Sequence, residues 1–243
     1  MERSIMTTWE VDDGIGILTL DNPPQNYITD PAFVEIDRLR EWTSESSLRG
    51  IIITGAGRHF SAGGDLSRIR DLAASESSLL SEMEKGLRIL GHLDAIELPV
   101  IAAIRGACFG AGLEIALACH IRVCCENAIF AFPEINHGLV PGLGGASRIA
   151  AALGRSTALQ ILLSGDIIDA SRALELKLVD HLVPARAAVD FSVSLIKKMV
   201  ADRPLTAINS IVRAINNARV MSPHEAIEEE TIMFCRLAAA ADE

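Results

Sequence analysis

The chain has 243 residues, of which 49% are hydrophobic and 22% charged, and 32 acidic against 22 basic side chains give it a formal charge of −10. This apolar fraction excludes a disordered protein, and a chain of this length buries a full apolar core without disulfides. Because nucleic acids and anionic membranes are bound mainly through Lys and Arg, the acidic balance argues against both as partners.

The location expected from the sequence is the cytoplasm. The opening residues, MERSIMTTWEVDD, carry acids and an Arg where a secretory signal is apolar, so export is not expected. The most apolar stretch, Pro99–Cys119, is interrupted by Arg105 and Glu114, so it falls short of the ~18 uninterrupted apolar residues that a membrane-spanning helix needs. Five cysteines, an odd number, favour a reduced protein. The cluster Cys119, His120, Cys124 and Cys125 lacks paired Cys-x-x-Cys spacing, so no metal is predicted.

Patterns with periods of 2 and 3.6 residues alternate along the chain and predict an α/β protein. The first elements are a β-hairpin, Thr7–Val11 with Ile15–Leu20, joined at Asp-Asp-Gly. A helix is predicted to begin at Asp30-Pro31, and the Ser-rich stretch Ser75–Ser81 is typical of a mobile surface loop. Further strands are predicted at Gly50–Gly55, Pro99–Ile104, Ile121–Cys125 and Ala128–Phe132, and further helices at Leu79–Leu93 and from about Ala185 onward.

One internal repeat carries most of the functional information. Phe60-Ser-Ala-Gly-Gly-Asp65 and Phe109-Gly-Ala-Gly-Leu-Glu114 share the pattern F-x-A-G-x-[DE], offset by 49 residues (109 − 60). In each copy a strand ends, a glycine-rich turn permits close approach, and a helix begins with free N–H groups. Two such turns side by side could form an oxyanion hole, and two simple chain reversals are an equally open interpretation.

A pair of carboxylates, Glu114 and Glu134, forms the second constellation. Glu114 lies in the first turns of an otherwise apolar helix, where a charge is costly unless it is paired or functional. Glu134 follows the strand Ala128–Phe132 and a proline. Two carboxyl groups in one apolar pocket acquire separated pKa values, so one can donate a proton while the other accepts one. The alternatives are a charge favoured by the helix dipole for Glu114 and a solvated loop acid for Glu134.

Four ordered motifs together resemble the enoyl-CoA hydratase/isomerase (crotonase) family. They are HFSAGGDL, LPVIAAIRGACFGAGLEIALAC, AIFAFPEINHGLVPGLGGASRIAAALG and LLSGDIIDASRALELKLVDHLVP. The resemblance covers about Gly14 to Pro184 and implies an α/β superhelix of repeated ββα units with a C-terminal helical oligomerisation region. The expected division is a crotonase core at residues 1–184 with the CoA and catalytic site, and a shortened helical trimerisation region at residues 185–243.

The resemblance also implies roles for individual residues. The backbone N–H groups of Gly64 and Ala111 correspond to the family's oxyanion hole, whereas the internal repeat alone would pair Gly64 with Leu113. Glu114 and Glu134 correspond to the glutamates that hold a water in family hydratases. Glu114 is expected to orient and activate the water, and Glu134 to deliver a proton to C2. His137 is expected to lie at the surface or in a supporting position.

Contacts with substrate and CoA are expected from several segments. The residues that the resemblance places there are Gln25, Asn26, Ala62, Asp65, Leu66, Leu139 and Gly142, with Ile69 and Val140 as further apolar walls. Arg68 and Arg70 are either CoA phosphate contacts or solvated helix arginines. Many members continue into another helix after the point where this chain ends, so a more open CoA site, or one covered differently by a neighbouring subunit, is expected.

The function expected from these residues is hydration of a 2,3-enoyl-CoA to the 3-hydroxyacyl-CoA. No metal or redox cofactor is expected, with CoA entering only as part of the substrate, and a homotrimer or homohexamer is the implied assembly. Two alternatives share the fold, a Δ3,Δ2-enoyl-CoA isomerase and an acyl-CoA thioester hydrolase. An alternative of another class is a non-catalytic subunit that binds acyl-CoA or acyl-carrier. Retention of Glu114 favours water chemistry.

Overall fold

The computed structural model describes residues 2–4 and 6–240, with side chains from residue 6 onward. The strands are β1 (Glu2–Ser4), β2 (Thr7–Asp12), β3 (Ile15–Leu20), β4 (Gly50–Gly55), β5 (Val100–Ile104), β6 (Ala107–Phe109), β7 (Ile121–Cys125), β8 (Ile129–Ala131), β9 (Ile168–Asp169) and β10 (His181–Val183). The helices are α1 (Ile36–Thr43), α2 (Leu66–Leu72), α3 (Glu76–Ala95), α4 (Ala111–Leu117), α5 (Gly145–Leu153), α6 (Arg155–Ser164), α7 (Ala170–Glu175), α8 (Ala188–Val200), α9 (Leu205–Val220) and α10 (Pro223–Ala240), and a 3₁₀-helix spans Pro133–His137. The chain end at 241–243, on which the expectation of an absent last helix depends, lies outside the described residues.

Seven strands form the main sheet in the order β1-β2-β3-β4-β5-β7-β10. The pairs β1–β2 and β2–β3 are antiparallel, whereas every pair from β3 to β10 is parallel. Strands β4 and β5 are buried at every position, as expected for parallel strands covered on both faces. The short strands β6, β8 and β9 form a second sheet, and β6 and β8 lead directly into the segments that carry the predicted catalytic residues.

The predicted hairpin between β2 and β3 is confirmed. The strands pair in the register Asp12 to Ile15, and the two residues between them, Asp13 and Gly14, have φ values of 48° and 73°. Positive φ at both central positions is the geometry that Asp-Gly favours in a two-residue turn. The buried strands at 50–55 and 100–104 and the helical C-terminal part also lie where the sequence places them.

Two element predictions are wrong. The Ser-rich stretch 75–81 is not a loop, because the Ser75 hydroxyl accepts a hydrogen bond from the Ser78 N–H and α3 begins at Glu76. Its serines face solvent on a helix whose buried positions begin only at Gly86, so composition alone resembles a loop. The helix predicted from Asp30 begins instead at Ile36. The Asp30 carboxylate accepts the Ala32 N–H at 2.8 Å, a local turn that replaces the first helical turn.

The core divides into two apolar clusters on opposite faces of the main sheet. Strand β4 shows the division, since Ile51 and Ile53 belong to the larger cluster and Ile52 to the smaller. Helix α8 covers the smaller cluster, and a Cβ added at Gly50 would lie 2.7 Å from Ile196. Helices α9 and α10 pack against each other. No helix among the described residues is both long and apolar enough to span a membrane.

Candidate active site

The two glycine-rich turns of the internal repeat lie against each other. The Ser61 N–H donates to the Ala107 carbonyl, and the Phe109 N–H donates to the Ser61 carbonyl, both at 3.0 Å. Gly63 has φ +97°, and a Cβ there would lie 2.9 Å from the Phe109 carbonyl oxygen. Glycine is therefore required at this point, because the backbones approach too closely for a side chain.

The bridge between the two turns has an offset that relates Gly64 to Ala111. Ser61 bridges Cys108 in parallel orientation, an offset of 47 residues (108 − 61). The same offset separates Gly64 from Ala111 (111 − 64), whereas the sequence repeat is offset by 49. Among the described residues, the N–H groups of Gly64 and Ala111 have no hydrogen-bond acceptor. An oxyanion site needs preset donors that are unpaired in this way.

Glu114 lies in the first turns of α4 and is only 2% exposed. One carboxylate oxygen, Oε1, accepts two hydrogen bonds of 2.7 Å, from the N–H groups of Leu143 and Gly145. These donors precede and begin α5, so a loop distant in sequence holds the carboxylate. Gly145 is constrained by this contact, since a Cβ there would lie 2.8 Å from Phe132 and 2.9 Å from Glu114.

The proton affinity of Glu114 is unusually high. Burial raises the pKa of this carboxyl from 4.5 to about 7, against the two backbone hydrogen bonds, which lower it. The charge of Glu134 adds to the rise, and the charge of Arg148 opposes it. A carboxyl group with a pKa near 7 can exchange protons readily at neutral pH.

Glu134 lies in the first turn of the 3₁₀-helix after β8 and faces the beginning of α4. A Cβ added at Gly110, which has φ +44°, would lie 2.6 Å from Oε1 of Glu134. The other carboxylate oxygen, Oε2, is buried without a hydrogen-bond partner among the described residues. Burial raises the pKa of Glu134 also, against a hydrogen bond to its own backbone. The structure therefore brings both predicted carboxylates to the start of α4.

The loop at residues 22–27 supports the first glycine-rich turn. The Ala62 N–H donates to the Gln25 carbonyl at 2.9 Å, and the Ser61 hydroxyl donates to the Asn26 carbonyl at 2.6 Å. The Asn26 side chain is buried, and its amide nitrogen donates to the carbonyls of Ala56 and His59, both at 2.8 Å. The side chain of Asn26 thus shapes the loop, and the neighbouring residue Gln25 is exposed.

Asp65 caps α2 and begins the segment after the first turn. Its carboxylate accepts hydrogen bonds from the N–H groups of Ser67 and Arg68 and from the Ser67 hydroxyl. These bonds, that of the Ser67 hydroxyl foremost, lower the pKa of Asp65. Ile69 packs on the turn itself, since a Cβ at Gly64 would lie 3.1 Å from its Cδ1. Leu66, one residue after Asp65, is half-buried.

The predicted wall residues that follow the 3₁₀-helix, Leu139 and Val140, are exposed, with 41% and 77% of their surface accessible to solvent. The Leu139 N–H donates to the backbone carbonyl of Glu134 at 3.0 Å, so Leu139 is connected to the residue that carries the carboxylate. Gly142 packs against Met83 of α3, whose Cε would lie 2.4 Å from a Cβ at that glycine. His137 is exposed. Within the described residues, no group of three or more His, Cys, Asp or Glu side chains is placed to hold a metal.

Sequence reasoning missed the residues that hold Glu114. They are Leu143 and Gly145, which bind its carboxylate, and Arg148, whose guanidinium donates to the Leu143 carbonyl at 2.6 Å. Met83 was missed as well, because its helix lies far from the motifs in sequence. The glycines of the stretch GLGGASR are a visible signal for a tight turn before a helix, but they do not reveal which carboxylate the turn binds.

Comparison with known proteins places this chain in a family. The sequence profile of the enoyl-CoA hydratase/isomerase family matches residues 10–243. A Bacillus subtilis protein named "Probable enoyl-CoA hydratase" is 34% identical over 226 residues, covering 92% of this chain and 87% of that protein. The crystal structure of an enoyl-CoA hydratase from Polaromonas sp. JS666 has a TM-score of 0.88 at 30% identity, covering 95% of this chain and 90% of the other.

A second solved structure includes the ligand. A Thermobifida fusca protein, named as a candidate enoyl-CoA hydratase in complex with CoA, has a TM-score of 0.84 at 25% identity and covers 98% of this chain and 95% of its own. The chain belongs to the enoyl-CoA hydratase/isomerase family. Its fold is the α/β crotonase fold with a helical C-terminal region, as the sequence motifs predicted.

Proposed function

We propose that the protein hydrates a 2,3-enoyl-CoA thioester to the 3-hydroxyacyl-CoA. The observation that carries the proposal is the presence of two carboxyl groups of raised pKa, the buried Glu114 and the half-buried Glu134, on the segments that follow the glycine-rich turn of Ala111 and strand β8. The backbone N–H groups of Gly64 and Ala111, on the two adjoining turns, are unpaired among the described residues. The names of the relatives support an acyl-CoA substrate, since one related protein was solved with CoA.

The proposed role of the turns is to stabilise negative charge on the thioester oxygen. When an oxygen nucleophile adds at C3, electrons move through the double bond to the thioester carbonyl, and an enolate forms. The N–H groups of Gly64 and Ala111 would donate to that oxygen. Because both belong to backbone fixed by the contact between the turns, they need no reorganisation when the charge develops.

The proposed role of the glutamates is proton transfer. Glu114, as carboxylate, accepts a proton from water while the water oxygen bonds to C3. Glu134, protonated, gives its proton to C2 of the enolate, which restores the thioester carbonyl. After release of product, a proton passes from Glu114 to Glu134 through solvent, so the cycle is balanced. A pKa raised by burial suits both residues, because each must change protonation state near neutral pH.

The test is hydration of crotonyl-CoA, followed by loss of absorbance, in wild type, Glu114→Gln and Glu134→Gln. The proposal predicts a fast wild type and a loss of at least about a hundredfold in kcat for each variant. Retained conversion of 3-enoyl-CoA by Glu114→Gln would indicate an isomerase, and release of free CoA a hydrolase. A wild type no faster than the double variant across short, long, cyclic and aromatic enoyl-CoAs, with CoA thioesters still bound, would indicate a binding subunit.

We also propose that the chain assembles as a homotrimer, alone or as a pair of trimers. Helices α9 and α10 expose a set of large apolar side chains, namely Ile211, Ile215, Val220, Ile227 and Phe234. Exposed apolar surface of this extent is typical of an interface. In light scattering, Ile227→Asp with Phe234→Asp should reduce the mass to that of one chain, whereas Leu80→Asp, a matched change of an exposed leucine on α3, should not.

A further inference from the structure

Arg148 connects the loop that binds Glu114 to the end of α3. One guanidinium nitrogen, Nη1, donates to the Leu143 carbonyl at 2.6 Å. The other two, Nε and Nη2, donate to Oδ2 of Asp94 at 3.2 and 2.5 Å. The guanidinium thus contacts two elements at once through a rigid planar fork of donors, which the compact ammonium group of a lysine does not have.

The hydrogen bond from Arg148 to the Leu143 carbonyl holds the peptide group that lies between the two N–H donors to Glu114. Leu143 accepts from Arg148 through its carbonyl and donates to Glu114 through its N–H. Gly144 follows with φ +90°, and a Cβ there would lie 2.6 Å from Nη1 of Arg148. Gly145 then supplies the second N–H to the carboxylate. The orientation of both donors therefore depends on the peptide plane that Arg148 holds.

Arg148 and Asp94 are largely protected from solvent, with side chains 13% and 24% exposed. A charge pair in this position is less screened than one at the surface. Arg148 also lowers the pKa of Glu114 by its charge, opposing burial and the charge of Glu134. Arg219 of α9 approaches the other oxygen of Asp94 at 3.4 Å from an exposed position, so Asp94 is held from two sides.

We propose that Arg148 and Asp94 are positioning residues for Glu114, and that they act by holding the loop 143–145 in the orientation that presents its two N–H groups to the carboxylate. The inference rests on the proposed function for its effect on turnover, but its structural part concerns Glu114 alone. Neither residue is assigned a contact with substrate.

The test compares Arg148→Lys, Arg148→Met and Asp94→Asn with wild type and with Arg213→Gln. Arg148→Lys keeps the charge but loses the fork, so it separates positioning from charge. Asp94→Asn keeps Arg148 charged while weakening its anchor. Arg213 of α9 is the control, because it too is an arginine paired with an acidic residue, Glu97, at 2.6 Å, and it has no hydrogen bond to the loop.

Positioning predicts that kcat for crotonyl-CoA falls about tenfold or more in all three variants, while KM changes less than about twofold. In Arg148→Met the acid limb of the pH–rate profile should also move upward by roughly half a pH unit, because Glu114 loses an opposing charge and well-oriented donors. Arg213→Gln should match wild type. Full activity and an unshifted profile in Arg148→Lys would show that charge alone matters and would overturn positioning.

A purely structural role gives a different result and would also overturn the proposal. The melting temperature would fall, but kcat per folded molecule and the pH profile would stay at wild-type values. Asp94→Asn adds a check on direction. If Arg148 acted only through its charge, removing the negative charge of Asp94 would move the acid limb of the pH–rate profile downward and leave kcat unchanged. Positioning instead predicts a loss of kcat.

The failure of the proposed function is distinguishable from the failure of this inference. The titration of Glu114 can be followed by NMR of ¹³C-labelled glutamate carboxylates, with Glu114→Gln identifying the resonance, and this needs no turnover. A changed Glu114 titration in Arg148→Lys, beside an unchanged one in Arg213→Gln, supports positioning even if wild type hydrates nothing. An unchanged titration in Arg148→Lys and Arg148→Met overturns it even if wild type is an active hydratase.

Discussion

Replacing Glu114 by Gln should stabilise the folded protein at neutral and alkaline pH. The pKa of this carboxyl is raised from 4.5 to about 7 by burial, so ionising it costs more in the folded than in the unfolded chain. The two values differ by about 2.5 pH units, and each unit corresponds to ~1.4 kcal/mol, so the full cost is about 3 kcal/mol. Glutamine keeps an oxygen for the two backbone donors but carries no charge.

The sign follows from the order of the two pKa values. Below pH 4.5 the carboxyl is protonated in both states, and the wild type pays no penalty. As pH rises from about 4.5 to 7, the unfolded chain releases its proton first, and the stability of the wild type falls relative to the variant. Above about pH 7 the difference in free energy of unfolding between the two proteins is constant. Relative to the difference at acid pH, it favours Glu114→Gln by up to about 3 kcal/mol.

Urea unfolding of both proteins at intervals from pH 4.5 to 8 measures this difference. Other ionisable groups are common to both chains, so the difference isolates Glu114. Glu126→Gln is the control, because Glu126 is an exposed glutamate of the turn after β7 and its replacement should give no such trend. A stability difference between Glu114→Gln and wild type that is the same at every pH would refute the assigned burial cost.

Three further substitutions test the packing around the site. Gly145→Ala should lower kcat by about tenfold or more, measured with crotonyl-CoA, because the new Cβ would lie 2.8 Å from Phe132 and displace the bound carboxylate. Gly110→Ala should likewise impair turnover, since its φ of +44° strains alanine and the Cβ would meet Glu134 at 2.6 Å; unchanged kinetics would contradict this geometry. Asn26→Ala should destabilise the protein by about 2 kcal/mol in urea unfolding, because two part-buried loop carbonyls lose their donor.

Much of the fold follows from local pattern. The continuous apolar runs at β4 and β5 predict buried strands, and Asp13-Gly14 predicts the hairpin turn, because each signal is contained within a few neighbouring residues. The prediction of a loop at 75–81 was wrong because an exposed first helical turn and a loop share the same polar composition. The start of α1 was misplaced because the hydrogen bond from Ala32 to Asp30 competes locally with a helix.

The candidate site also contains features that the sequence indicates and features that depend on contact between distant segments. Glu114 and Glu134 stand out in sequence because a carboxylate among apolar residues is costly, and the glycine turns stand out because they repeat. The repeat in sequence has an offset of 49, whereas the parallel bridge between Ser61 and Cys108 has an offset of 47, the offset that also separates Gly64 from Ala111. That register is a property of two segments in contact, and neither copy of the motif contains it.

The sequence by itself determined the α/β class, the two glutamates and the two glycine-rich turns, because these depend on residue type and short spacing. Only the tertiary structure decided how Glu114 is held, since its backbone donors lie 29 and 31 residues away. The same is true of Arg148 and Asp94, which are 54 residues apart and meet only in the folded chain. The proton affinity of a buried carboxyl depends on these distant dipoles and charges, and local sequence does not contain them.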